Sequence, residues 1–201
     1  MESPRFRFRR WVLPAALSLA LMPALPLTSR AENHAHHIGL ALGYQKLLSD
    51  DLKDDSIGLD FTNAGFANIS YRYSLLPNLD LALDLRGTAS VQTVSGVDLS
   101  LLNSFFGPGV RLVSPNEGAR PFVQANFFLV DEEIELERNG TKVSFSENGV
   151  GFGVCAGVDL RASNLISIPI EANYMYGKPS DDVSGIGINV GITFNFGTMR
   201  K

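Results

Sequence analysis

Three histidines, His34, His36 and His37, are the only imidazoles in this 201-residue chain, and they sit within four consecutive positions. Two kinds of chemistry could use them. A histidine beside a serine or cysteine can act as the general base of acyl transfer. A histidine close to a free amino terminus can instead ligate a metal. If a leader ends at Ala31, the new terminus reads Glu32-Asn33-His34. Its amine, two amide nitrogens and the His34 imidazole then form a square-planar donor set suited to Cu(II) or Ni(II). The plainer reading is a solvated terminal linker. Cys155 is the one cysteine, so no internal disulfide can form; between Gly153 and Gly157 it reads as a small packing residue.

A second set is charged. Arg72, Arg86, Arg111 and Arg161, with Asp80, Asp84, Asp159 and Glu171, each fall on the polar phase of a segment whose other phase is apolar. Buried charges persist only when paired. Four bases against four acids therefore predict a neutralising ion-pair network inside a closed structure. Asp84 and Arg86 on the third segment and Glu171 on the seventh are expected to meet across that interior.

The elements that position these residues have period two. From Ile186 to Phe196, Ile186, Ile188, Val190, Ile192, Phe194 and Phe196 alternate with glycine or small polar residues. Seven earlier segments alternate in the same way, starting near Ile38, Ala67, Leu79, Leu102, Val123, Val150 and Ile166. One face of such strands can meet hydrocarbon while the other meets a hydrated interior, which a bilayer accepts only when the strands close into a barrel. A soluble barrel would turn its apolar face inward. Here that face is nearly unbroken Leu, Ile, Val and Phe, and the charges collect on the opposite one. The expected fold is an all-β, eight-stranded antiparallel up-and-down transmembrane barrel over 38–196 with a polar, side-chain-filled lumen.

The start of the chain supplies an address. Arg5, Arg7, Arg9 and Arg10 precede an apolar stretch from Trp11 to Leu27, and Ser29-Arg30-Ala31 is a small-x-small cleavage site. We expect a signal peptide over 1–31, a periplasmic linker over 32–37 and a short tail over 197–201, with the barrel in the cell outer membrane. Beyond the leader the chain carries 12 bases against 20 acids, which excludes a nucleic-acid binder. Connections near 76, 116 and 163 are short. Those at 49–63, 88–100, 131–148 and 177–184 are longer and polar, as periplasmic turns and extracellular loops are. All five tyrosines (Tyr44, Tyr71, Tyr73, Tyr174, Tyr176) lie on the apolar phase near segment ends, where an aromatic girdle would sit.

Residues 131–148 invert the pattern. Asn139-Gly140 is a type I′ hairpin signal, and pairing outward from it sets Glu137 against Lys142, Ile134 against Phe145 and Phe127 against Phe152. In that register Phe127, Leu129, Val150 and Phe152 face outward, but higher up Glu133, Glu135, Glu137 and Lys142 do. Ile134, Leu136, Val143 and Phe145 then turn over the barrel mouth. Lipid is expected to end there, with the hairpin continuing into water and offering its strand edges and acidic face to a partner.

With eight alternating segments, tight turns at one end, a protruding hairpin and an aromatic-ended last strand, GIGINVGITFNFG, the chain resembles the small eight-stranded outer-membrane proteins of the OmpA/OmpX type over about 36–196. The resemblance implies outer-membrane lipids and lipopolysaccharide around the barrel and the barrel-assembly machinery as a partner. One departure is that Phe196 is followed by Gly197 to Lys201, where such proteins end on the aromatic. Some eight-stranded relatives modify lipid A using a histidine beside a serine at the outer rim; here every histidine precedes the first segment. We therefore expect no enzyme and no cofactor, but a structural or surface-interaction, adhesion-like role, with a narrow pore as the alternative and a lipid-modifying enzyme behind it. The loop segments hold 14 acids against the four bases Lys53, Arg138, Lys142 and Lys178, so a basic host or envelope protein is the expected partner. The metal option has its own test. Mature protein should take up one Cu(II) with a square-planar absorption band that His34→Ala abolishes, and mass spectrometry showing cleavage elsewhere than after Ala31 would remove the site.

Overall fold

The computed structural model describes residues 36–48, 53–54, 59–114, 118–179 and 182–197. The expected leader, its cleavage site, His34 and the tail beyond Gly197 lie outside the described residues. The strands are β1 (His36–Leu47), β2 (Lys53–Asp54), β3 (Leu59–Asp60), β4 (Asn63–Leu76), β5 (Leu79–Val94), β6 (Val97–Val113), β7 (Ala119–Arg138), β8 (Thr141–Arg161), β9 (Ile166–Lys178) and β10 (Val183–Phe196). Eight of them close in the order β1-β10-β9-β8-β7-β6-β5-β4, while β2 and β3 form a separate two-stranded ladder. Closure is direct: Leu40 lies opposite Ile192 of β10 on one side and Ile69 of β4 on the other. The wall therefore offers the hydrocarbon no unpaired strand edge.

The alternation sorts the faces as expected. Leu40, Leu42, Leu81, Val123, Phe127, Phe152, Ile170, Ile188 and Phe194 point outward and are exposed, Leu42 at 70%. Exposure of that extent would be unfavourable in water and is favourable against acyl chains. The tyrosines divide between two levels. Tyr71 and Tyr73 pack with His36 at the end holding both barrel termini, and Tyr174 and Tyr176 flank Phe152 at the other end.

Three differences from the expectation have physical causes. First, β1 starts at His36, two residues before Ile38, because alternation continues through His36 (outward) and His37 (inward, buried). Second, 88–100 is not a loop. β5 and β6 stay paired through Val94 and Val97 and turn over Ser95 (φ 53°) and Gly96 (φ 77°). Asn139 (φ 50°) and Gly140 (φ 78°) make the corresponding turn between β7 and β8, with Glu137 opposite Lys142 as expected. Two left-handed residues are what a two-residue hairpin needs to match strand twist.

Third, the lumen is polar through only part of its depth. Towards the end opposite the barrel termini the inward phase becomes apolar: Phe66, Phe105, Phe128, Val130 and Met175 form one buried cluster. Leu47, Phe61, Ala64 and Leu101 form another, with Leu99 and Ile134 against it. The wall makes room for them. A Cβ on Gly153 would come within 2.7 Å of Phe128, and one on Gly151 within 2.9 Å of Val130. Eight strands leave an interior just wide enough for side chains, and here aromatic rings occupy it; Phe105 and Phe128 meet edge to face at 5.7 Å.

The stopper generates a prediction. Purified barrel should show no single-channel steps in planar bilayers, and Phe128→Ala should lower unfolding stability by about 3–5 kcal/mol in urea titrations. Stepwise conductance of the unmodified protein would contradict a sealed lumen.

Candidate functional site

Below the stopper the inward charges form two tiers. In the lower one, Arg72 Nη1 lies 3.5 Å from Asp159 Oδ2 and Arg111 Nη2 bonds the same oxygen. Arg72 also donates to Thr193 Oγ1 at 3.0 Å. The Arg111 guanidinium lies 3.4 Å from the centre of the Phe122 ring. Its charge is thus held by a carboxylate on one side and a π face on the other.

The upper tier centres on Asp84 and Arg86, both 1% exposed. Asp84 Oδ2 accepts from Arg86 Nη2 at 2.7 Å, Arg86 Nε at 3.2 Å, Gln124 Nε2 at 2.7 Å and Asn126 Nδ2 at 3.2 Å. Arg86 Nη1 reaches Glu171 Oε1 at 3.9 Å, and Asn189 donates to the same oxygen at 2.9 Å. This is the contact expected between opposite walls: β5 and β9 stand four places apart in the ring of eight. A cavity of about 20 Å³ remains beside Arg86, Asp84, Arg72 and Glu171, room for about one water.

Not every expected member joins. Arg161 keeps the inward phase but is the last residue of β8, opposite Ser167 at the rim, exposed and donating to Asn164 Oδ1 at 2.8 Å in the turn that follows. Alternation fixes a side chain's face but not its depth, so Arg161 leaves the network. Asp80 is buried and accepts from Ser74 Oγ at 2.6 Å. Cys155 is buried, its Sγ 3.6 Å from Arg86 Nη2, which fits the packing role.

His37 was expected in a linker and instead enters the wall. Its Nδ1 lies 2.6 Å from Asn195 Oδ1 and its Nε2 3.1 Å from Ser74 Oγ. That connectivity matches a serine–histidine relay. The Ser74 hydroxyl, however, is committed as a donor to Asp80. The chain of bonds runs Asn195, His37, Ser74, Asp80 and ties β10, β1, β4 and β5 across the seam between the first and last strands. The signal that could have found it was the alternation of β10 and β4, which puts Asn195 and Ser74 on the inward phase beside a residue two places before Ile38.

Above the wall, β5 to β8 continue as a sheet. β7 runs 20 residues and β8 21, against 12 for β1, whereas about 9–11 tilted residues cross a bilayer. Glu133, Glu135 and Glu137 lie on its outer face as expected. Lys142 binds Glu135 and reaches Glu137 Oε2 at 3.1 Å. These two bonds push the lysine upward from its ordinary value and keep it charged. Glu133 has no ion pair among the described residues; partial burial, and then Glu135 and Asp131, raise its carboxyl. Of the four apolar residues expected over the mouth, Ile134 packs on the Leu101 cluster. Val143 and Phe145 remain 48% and 59% exposed. Among the described residues no strand pairs with β8 on its far side at that height. One expected edge is also taken, since β6 pairs with β7 as far as Asp98 opposite Glu137.

The family model for the outer membrane protein beta-barrel domain matches residues 14–196. Among solved structures, Neisserial surface protein A aligns with a TM-score of 0.62 and 18% identity over 81% of this chain and 99% of the other. Ail, the attachment invasion locus protein of Yersinia pestis, aligns at 0.59 and 18% identity over 82% and 99%; that structure is a complex with the heparin analogue sucrose octasulfate. OprG of Pseudomonas aeruginosa aligns at 0.52 and 10% identity over 83% and 97%. No curated protein sequence matches the chain.

The two tiers set an order of stability effects. Asp84→Leu strips one oxygen of four donors and should cost about 3–5 kcal/mol. Glu171→Leu leaves Arg86 its Asp84 partner and should cost less, about 1–3 kcal/mol. Urea midpoints followed by heat-modifiable gel mobility would check this, and equal losses would show that Asp84 is not the hub.

Proposed function

The chain belongs to the outer membrane protein beta-barrel domain family, and from that membership we propose that it is a non-catalytic surface protein whose extended outer sheet binds basic partners. The barrel sits among outer-membrane lipids and lipopolysaccharide after delivery by the barrel-assembly machinery. One observation carries the reading: above the apolar band, the outer face of β7 presents Asp131, Glu133, Glu135 and Glu137 in a single file, about 6.6 Å apart along the strand. A single lysine, Lys142, answers the upper two.

Support comes also from what the interior does. A lumen filled first by ion pairs and then by phenylalanines favours anchoring over conduction. The Ser74, His37 and Asn195 bonds favour a seam tie over catalysis, with the Ser74 proton directed to Asp80. The polyanion in the Ail complex is not carried over, because a sheet rich in carboxylates repels sulfates.

Refolded barrel should bind poly-lysine, and binding should weaken steeply as salt rises from about 0.05 to 0.5 M, since screening shortens to a few ångströms. Lowering the pH into the carboxylate range should weaken it too. Glu133, raised by burial, takes up a proton early, and each proton gained removes a negative charge. Deleting 132–147 should leave a folded, heat-modifiable barrel that no longer binds; undiminished binding by the deletion would overturn the assignment.

A further inference from the structure

Above the wall the sheet formed by β5 to β8 has two outer edges, and among the described residues only one is covered. On the β5 side, Gln92 exchanges bonds with the Asp60 backbone and Ser90 donates to the Asn63 carbonyl at 2.8 Å. On the β8 side, β9 pairs only up to Lys178 opposite Val150. From Thr141 to Gly149, β8 is hydrogen-bonded to β7 alone among the described residues, and Thr141, Lys142, Val143, Phe145, Glu147 and Asn148 are exposed.

The two-residue turn fixes which backbone groups are open. In such a hairpin the residues flanking the turn, Arg138 and Thr141, exchange both backbone bonds. Alternation then directs Thr141, Val143, Phe145 and Glu147 towards β7 and leaves the N–H and C=O of Lys142, Ser144, Ser146 and Asn148 pointing away from the sheet. The two faces beside that open row differ. One carries Val143 and Phe145, half or more exposed. The other carries Ser144 and Ser146, small residues opposite Glu135 and Glu133. A strand added here would place its outward side chains roughly 10 Å from β7, within reach of a lysine or arginine extended over the serines. Lys142 already makes that kind of reach to Glu135 and Glu137, whereas Glu133 has no cation among the described residues.

We propose that the open Lys142 to Asn148 edge of β8 takes up an extended peptide in which apolar and basic residues alternate. The apolar phase packs on Val143 and Phe145, and a basic side chain crosses Ser146 to Glu133. This rests on the surface-interaction reading above and adds the partner's chemistry and its mode of addition. Main-chain bonds supply affinity in strand addition, and alternate side chains supply specificity.

The test uses full-length refolded barrel in a neutral detergent with two nine-residue peptides of the same composition: one alternates lysine and valine, the other places all lysines first. Fluorescence anisotropy should give the alternating peptide at least about tenfold tighter binding, a difference of about 1.4 kcal/mol. Its binding should slow amide exchange at Ser144 and Ser146. Ser144→Pro removes one outward donor while sparing the β7 ladder, and should abolish the preference; Ser144→Ala should keep it, and Glu133→Gln should reduce it. Heat-modifiable mobility confirms that each variant is folded. Equal binding of the two peptides, binding of neither, or an unchanged preference in Ser144→Pro overturns strand addition. Salt-sensitive binding of both peptides alike would do so while leaving the acidic-surface reading intact, and loss of poly-lysine binding is what would sink that reading.

Discussion

Hydrocarbon cannot hydrogen-bond a peptide group, and every other property of this molecule follows from satisfying that condition with strands. Each unpaired N–H or C=O in the bilayer costs several kcal/mol. β1 must therefore find partners on both sides, and β10 and β4 provide them. Closure then imposes a two-faced chain: Leu, Ile, Val and Phe outward, and on the inward phase whatever an eight-stranded interior can hold.

That interior is too narrow to stay wet and too deep for one chemistry. Its lower part is filled by Arg72, Arg111 and Asp159 and by the Asp84–Arg86–Glu171 group, where each charge is tolerable because another neutralises it. The upper part is filled by phenylalanines that fit because glycines face them. The result is a rigid, closed stem. The seam between the ends of the chain is tied separately, by His37 bridging Asn195 and Ser74.

Where lipid ends, the condition relaxes, and the wall changes character within a few residues. Outward positions on β7 turn from Phe127 and Leu129 to Asp131 and Glu133 without a break in the ladder. Four strands continue and the others stop, which converts part of a closed ring into a sheet with edges. An edge is forbidden in the membrane and permitted above it, so the feature most available for recognition arises where the bilayer stops enforcing closure.

The sequence by itself determined that eight wall strands form, which face of each is apolar and the β7–β8 hairpin register, because period-two alternation and left-handed Asn139-Gly140 are local properties; how far the strands extend it did not. It also paired Arg86 with Glu171, since counting eight strands puts the third opposite the seventh. Depth and neighbourhood were decided only by the tertiary structure. Arg161 has the inward phase of the network residues yet sits exposed at the rim, the last residue of β8, and His37 has a linker's composition yet is buried in β1. Phe66, Phe105, Phe128 and Met175 lie far apart in the chain and form a stopper only when shear brings their heights together. Which edge stays open was equally hidden, because it depends on how far β6 and β9 climb beside β7 and β8. Alternation encodes the side of the wall; height along the barrel is set by the closure of all eight strands together.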